Sequence, residues 1–185
     1  MINIRKALIG DVEGSIDVNI KTWQTAYKGI IKDETLNRLD ENREVRIERF
    51  KKEFGECDVE GKIIQHAVAV EADQVVGFVT YGKCRDGSEH GLDNASEIYA
   101  IYVLEEYQGK SIGKKLVHYV VEQLQNTGEY DKLVIWTLKD NPSRGFYEHL
   151  GGKQRLEKVI EIAGQSLDEV GYLYDSLAEL GSKTK

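Results

Sequence analysis

The 185-residue chain predicts an α/β fold with a mixed sheet, in a single domain spanning residues 1–185. Three observations carry that prediction. Apolar residues recur at steps of three and four near the N-terminus and alternate further on. The later segments switch between strand and helix. No repeat, low-complexity tract or Pro/Ser-rich linker divides the chain. At roughly 100–200 residues per domain the length fits one domain, large enough to bury about two-thirds of its unfolded surface without a disulfide or metal staple.

Composition narrows the function classes. Lys and Arg number 25 against 32 Asp and Glu, a formal charge of −7, which speaks against general affinity for nucleic acid or an anionic membrane. A hydrophobic share of 41%, with 18 Gly and one Pro, fits a globular chain and neither a disordered nor a collagen-like one. Cys57 and Cys84 are too few for a disulfide framework and lack zinc-ligand spacing. The start MINIRKALIGDVEG has no apolar signal core, and no apolar run approaches ~18 residues, so a cytoplasmic protein is expected.

Ile2, Ile4, Ala7 and Leu8 suggest a short first strand. Asp11 can cap a helix whose buried stripe is Val12, Ile16, Ile20, Trp23 and Tyr27. A second helical segment carries Leu36, Leu39, Ile47, Phe50 and Phe54 among solvated charges. His66–Glu71 and Gln74–Lys83 read as a hairpin closed at Ala72–Asp73. The loop 85–94 is acidic and Gly-rich but lacks the EF-hand spacing, so it reads as ordinary surface. A strand over Ala95–Leu104 leads through a loop into a helix ending near Gln125. The strand Lys132–Leu138 precedes Asn141-Pro142, where Asn caps a short helix and Pro takes its first position, with Leu150-Gly151-Gly152 ending it. Strands near Arg155–Ile162 and Leu167–Tyr174 close the chain.

The chemistry concentrates in EIYAIYVLEEYQGKSIGKKLV, Glu97 to Val117. A strand ends, a loop carries Gly109, Gly113, Lys110, Lys114 and Lys115, and a helix begins. Amides at a helix start lack intrahelical partners, and glycines admit a phosphate close to them, so the segment suits a pyrophosphate. The ATP-binding Walker pattern fails, because only Lys110, Ser111 and Ile112 separate the glycines and Lys115 follows Lys114. The dinucleotide pattern G-x-G-x-x-G is absent too. A plain helix start with solvated lysines is the competing reading.

Gln108-Gly109-Lys110-Ser111-Ile112-Gly113 resembles motif A of the GNAT acetyltransferase superfamily, with Ser111 replacing the first motif glycine. The preceding YAIYVLEEYQG looks like the family's fourth strand, and NPSRGFYEHLGG (Asn141–Gly152) resembles its motif B, with Gly152 where an aromatic is usual. TWQTAYKGI near the N-terminus is similar to small-molecule members of the superfamily. The resemblance implies a mostly antiparallel central sheet with splayed strands, flanked by helices, and acetyl-CoA as cosubstrate without a metal. It places the pyrophosphate on Gln108, Gly109, Lys110, Ser111, Ile112, Gly113 and Lys114. It also places the pantetheine arm on Ile101, Tyr102, Val103 and Asn141, with Ser143 and Arg144 nearby.

Within that frame Tyr147 is the candidate general acid, because a phenol near pKa 10 is protonated at neutral pH and can donate to a leaving thiolate. A core tyrosine is its alternative. Glu97 is the candidate base, directly or through water, for an amine that arrives protonated; simple attraction of cations is its alternative. Trp23 and Tyr27 fall on the helix's buried stripe, where core packing is the default, and the resemblance alone makes them acceptor-pocket residues. His66, His90, His118 and His149 show no ligand spacing. The expected activity is transfer of acetyl from acetyl-CoA to a primary amine, on a small molecule, by direct attack. Two alternatives stay open: a non-catalytic acyl-CoA-binding module, and a protein or peptide N-acetyltransferase. The expected partner is a small-molecule amine, with neither nucleic acid nor membrane, and a homodimer is compatible with this reading.

Overall fold

The computed structural model describes residues 1–56 and 64–185, so Cys57 lies outside the described residues. The elements run β1 (Asn3–Lys6), α1 (Val12–Ala26), α2 (Asp33–Glu41), α3 (Arg43–Glu56), β2 (Ile64–Glu71), β3 (Gln74–Lys83), β4 (Ala95–Val103), α4 (Ile112–Thr127), β5 (Lys132–Leu138), α5 (Arg144–His149), β6 (Lys153–Ile162), β7 (Gln165–Tyr174) and α6 (Leu177–Thr184). The strands form one seven-stranded sheet in the order β1-β2-β3-β4-β5-β7-β6. It is mostly antiparallel and flanked by helices, as expected from the sequence. β4 and β5 pair in parallel from Ala95↔Lys132 to Ile98↔Ile135. Among the described residues no β4–β5 pair follows, although β4 runs on to Val103 and β5 to Leu138.

By backbone proximity the chain divides into two compact units, residues 1–80 with 100–116, and residues 81–99 with 117–185. In the first, Val12, Ile16 and Ile20 of α1 pack on Ile47 of α3, with Leu39, Phe50 and Phe54 against them. The steps of three and four on α1 thus bury one stripe. Ala72 and Asp73, both at positive φ (47° and 65°), close the β2–β3 hairpin; paired left-handed residues match the strands' twist. In the second, Cys84, Leu92, Ala95, Val134, Trp136 and Leu173 form a core with Leu156 against it. Gly171 is required there, since a Cβ would lie 2.8 Å from Leu156 Cβ and 3.1 Å from Trp136 Cζ3.

Four sequence expectations change. The second helical segment is two helices, parted at Asn42, whose φ of −97° and ψ of 11° leave the helical region. Asp11 does not cap α1 with its side chain; its carboxylate accepts from the Leu8 amide at 2.7 Å and binds Arg5, closing the 3₁₀ turn before the helix. Asn141 is not the cap of α5; Ser143 takes that position, and the Asn141 side chain accepts the Ser143 amide at 2.8 Å. The chain ends not on β7 but on α6, capped by the Ser176 hydroxyl, which accepts from the Glu179 amide at 3.3 Å.

Candidate active site

In the first unit the loop before α4 carries two residues in left-handed backbone. Gly109 has φ of 72° and Ser111 φ of 60°, so the serine adopts the left-handed backbone otherwise left to glycine. Gln108, Gly109, Lys110 and Ser111 are exposed. Ile112 is buried and pins the first turn of α4, with Gly113 and Lys114 behind it. The Lys115 amide donates to Ser111 O at 3.0 Å, which starts the helical ladder, so the amides of the first turn before it lack intrahelical acceptors. A Cβ on Gly109 would meet nothing within 4 Å, so the approach to this backbone is open. Lys110 Nζ lies 4.6 Å above the Tyr107 ring, a placement that orients its charge beside the loop.

Gln108 reaches back to donate to Val103 O at 3.1 Å, tying the loop to the end of β4. Trp23 Nε1 donates to the Tyr102 hydroxyl at 2.9 Å, and its ring meets Tyr27 edge-on at 5.1 Å. Sequence reasoning passed over Arg46 of α3. It is half-buried, donates to Asn19 Oδ1, and its buried Nε has no hydrogen-bond partner among the described residues. Burial pulls its pKa down, while the neighbouring Tyr102 phenol opposes the shift.

The second unit holds the two residues expected to carry catalysis. Tyr147 on α5 is buried between Phe146 (5.5 Å between ring centroids) and Tyr172 (5.6 Å). Its carbonyl accepts from the Tyr174 hydroxyl and the Gly152 amide, both at 3.0 Å, which fixes the backbone from which the phenol projects. Gly152 is needed for that contact, since a Cβ would stand 2.8 Å from Tyr174 Cζ. Asn141 uses Nδ2 on Thr137 Oγ1 at 2.7 Å and its oxygen on the Ser143 amide, so its side chain shapes the turn from β5 into α5. Arg144 donates to the Tyr172 hydroxyl (2.9 Å), Lys139 O (2.9 Å) and Gln154 (2.7 Å), and thereby anchors α5 to the sheet.

Glu97 on β4 is paired with Arg85. Its side chain is 1% exposed and both oxygens are held by Arg85: Oε1 by the guanidinium Nε at 3.0 Å and by Nη2, Oε2 by the backbone amide at 3.0 Å. Burial lowers the Arg85 pKa, but the Glu97 bond and charge outweigh it and the net shift is upward. The Arg85 guanidinium also sits 4.7 Å over the Tyr99 ring. A carboxylate so engaged ties β4 to the start of the 85–94 loop. The sequence offered only opposite charges across a loop as a signal for this pair.

Cys84 is buried and free, and burial pushes its thiol pKa up, the reverse of an activated nucleophile. Among the described residues no group of three or more His, Cys, Asp or Glu could hold a metal ion, and no helix is long and apolar enough to cross a membrane.

A family model for the acetyltransferase (GNAT) family matches residues 23–151, and the chain belongs to that family. It is 31% identical over 180 residues to the uncharacterized N-acetyltransferase YuaI of Bacillus subtilis strain 168, covering 97% of this chain and 96% of that protein. The fold is also that of PaiA N-acetyltransferase from Thermoplasma acidophilum in complex with coenzyme A, at TM-score 0.69 and 22% identity over 94% of this chain and 99% of that one. It is likewise that of YncA from Salmonella typhimurium with its cofactor acetyl-CoA, at TM-score 0.69 and 20% identity over 95% and 94%.

Proposed function

We propose that the protein transfers the acetyl group of acetyl-CoA to a primary amine on a small molecule by direct attack. The observation that carries this reading is the Gln108–Lys114 backbone, where both Gly109 and Ser111 already hold positive φ ahead of α4. That arrangement aims unpartnered amides and the positive end of the helix dipole at one spot, which suits the coenzyme's pyrophosphate. Among the described residues the β4–β5 register ends at Ile98, and we place the pantetheine arm along Ile101, Tyr102 and Val103 of β4, by hydrogen bonds of the strand type. The family match runs through both compact units, which supports reading residues 1–185 as one domain.

In the transfer, the amine loses a proton to water and its nitrogen lone pair attacks the thioester carbon. Amides of β4 stabilise the developing oxyanion, the carbon–sulfur bond breaks, sulfur takes the Tyr147 hydroxyl proton, and the extra proton on the acylated nitrogen leaves through water and restores the phenol. Water replaces Glu97 as the base because Arg85 holds both carboxylate oxygens. Trp23 and Tyr27 line the acceptor side of this reading, joined to β4 through Tyr102. The test is a screen of amines, antibiotics and peptides with acetyl-CoA, following release of free thiol. Turnover with small amines is expected; turnover with peptides alone would reject the small-molecule acceptor.

A further inference from the structure

Arg46 of α3 is a cation that the fold leaves without a counter-charge. Of the chain's eight arginines, seven lie beside a carboxylate at 3.9 Å or closer, and Arg46 has none among the described residues. Its neighbours on α3 are paired: Arg43 engages Asp17 and Glu44, and Arg49 engages Glu53. Arg46 instead gives Nη2 to the neutral Asn19 side chain, and its buried Nε meets no acceptor among the described residues. Water would compensate a fully exposed guanidinium, but Arg46 is half-buried. Burial and the positive charge of Arg49 pull its pKa down, against the opposing pull of the Tyr102 phenol. A partly desolvated charge with an unsatisfied donor destabilises the folded state until an anion covers it.

Its place in the fold gives that anion a source. Asn19 and Trp23 stand four residues apart on α1 and so are neighbours on one helix face. Asn19 accepts from Arg46, and Trp23 Nε1 donates to the Tyr102 hydroxyl at 2.9 Å. One turn of α1 therefore links the guanidinium to Tyr102 on β4. The next residue of that strand, Val103, accepts at its carbonyl from Gln108 of the loop before α4, at 3.1 Å. Asn19, Trp23, Arg46 and Tyr102 are all partly exposed, and they belong to the same compact unit as the loop.

We propose that Arg46, steadied by Asn19, holds a carboxylate of the acceptor, so that the acceptor is an amine that also carries a carboxylate. The inference rests on the acetyltransferase reading for the amine; the anion site itself does not. One uncompensated guanidinium matches one negative charge, and its fork of N–H donors matches the two oxygens of a carboxylate. An alkylamine without the carboxylate leaves Arg46 uncovered and brings a second positive charge to the same unit.

The chain has two tryptophans, so ¹⁵N NMR shows two indole signals, and Trp23→Phe assigns them. Sodium butyrate, replacing chloride at fixed ionic strength, is expected to move the Trp23 indole signal saturably, and the neutral isostere butyramide is expected not to. Arg46→Gln removes the charge and keeps an NH₂ for Asn19; it should raise the butyrate midpoint at least about tenfold. Arg46→Lys, which keeps the charge and loses the fork, should fall between the two. In thiol-release assays with acetyl-CoA, amino-carboxylates of two to six carbons are compared with the alkylamines that lack the carboxylate. The best amino-carboxylate is expected to exceed its alkylamine in kcat/KM at least about tenfold, and Arg46→Gln should erase that preference. Turnover of neither series, with the butyrate response intact, defeats the acetyltransferase reading and leaves the anion site standing. No saturable response to butyrate, an equal response to butyramide, an unchanged midpoint in Arg46→Gln, or a preference for the alkylamines would overturn the proposal.

Discussion

Replacing Glu97 with Gln separates an anchor from a base. In the folded protein one carboxylate oxygen accepts from the Arg85 guanidinium and the other from the Arg85 backbone amide. A carboxamide has one oxygen, so whichever way it turns, its NH₂ group faces a donor in a site that is 1% exposed. A buried polar group left unsatisfied costs about 1–3 kcal/mol. The cost stays below the ~3–5 kcal/mol of a fully buried broken pair, because the Arg85 side chain is 60% exposed and can turn to water. For a chain of this length that is a fall in melting temperature of about 2–12 °C. Thermal and urea denaturation read the stability, and thiol release reads the rate. The anchor account predicts lower stability, with only the modest rate loss that follows from a loosened 85–94 loop. Unchanged stability with a rate loss of ~10²–10⁴-fold would refute it and restore Glu97 as the base.

Tyr147→Phe keeps the ring between Phe146 and Tyr172, so the fold and acetyl-CoA affinity should hold while the maximal rate falls by roughly 10²–10⁴-fold; full activity would reject the acid role. At Ser111, with φ of 60°, Gly should be at least as stable as Ser and retain acetyl-CoA affinity, whereas Val should lose about 1–2 kcal/mol by urea denaturation. Burial pulls the His66 pKa down to about 4, below the ~6.5 of an unfolded histidine, so the unfolded chain binds more protons between these values. Stability is then full above pH ~6.5 and falls by up to about 3 kcal/mol as pH drops through 4; urea midpoints at the two ends should show it, and His66→Gln should flatten the dependence.

The parts of the fold written in local pattern were legible from sequence. The buried stripe of α1, the Ala72–Asp73 turn and the strand Lys132–Leu138 follow from spacing and turn chemistry alone. The family followed from two motifs in the right order, and Ser111 shows why a motif glycine can be replaced: the loop imposes left-handed backbone on whatever residue stands there. What depended on long-range contact was not legible. Asn42 interrupts α2 and α3 without Gly or Pro to mark it. The α6 cap was written in Ser176 and Glu179 but sits after a strand that looked terminal. The partnership of Glu97 with Arg85 and the approach of Lys158 to Glu169 exist only once β4, β6 and β7 and the 85–94 loop are placed, because charge pairing across strands is set by register rather than by sequence distance.

The most direct test of the account is a titration of acetyl-CoA into the wild type and Gly113→Asp, followed by melting temperature. Binding to the loop predicts about 2.7 kcal/mol of stabilisation at a hundredfold excess over Kd, a rise of roughly 5–11 °C for a chain of this size. In Gly113→Asp a carboxylate enters the first turn of α4, where the phosphates should lie, and most of that rise should disappear while the unliganded protein stays folded. No rise in the wild type, or an equal rise in the folded variant, would contradict the claim that this backbone holds the coenzyme.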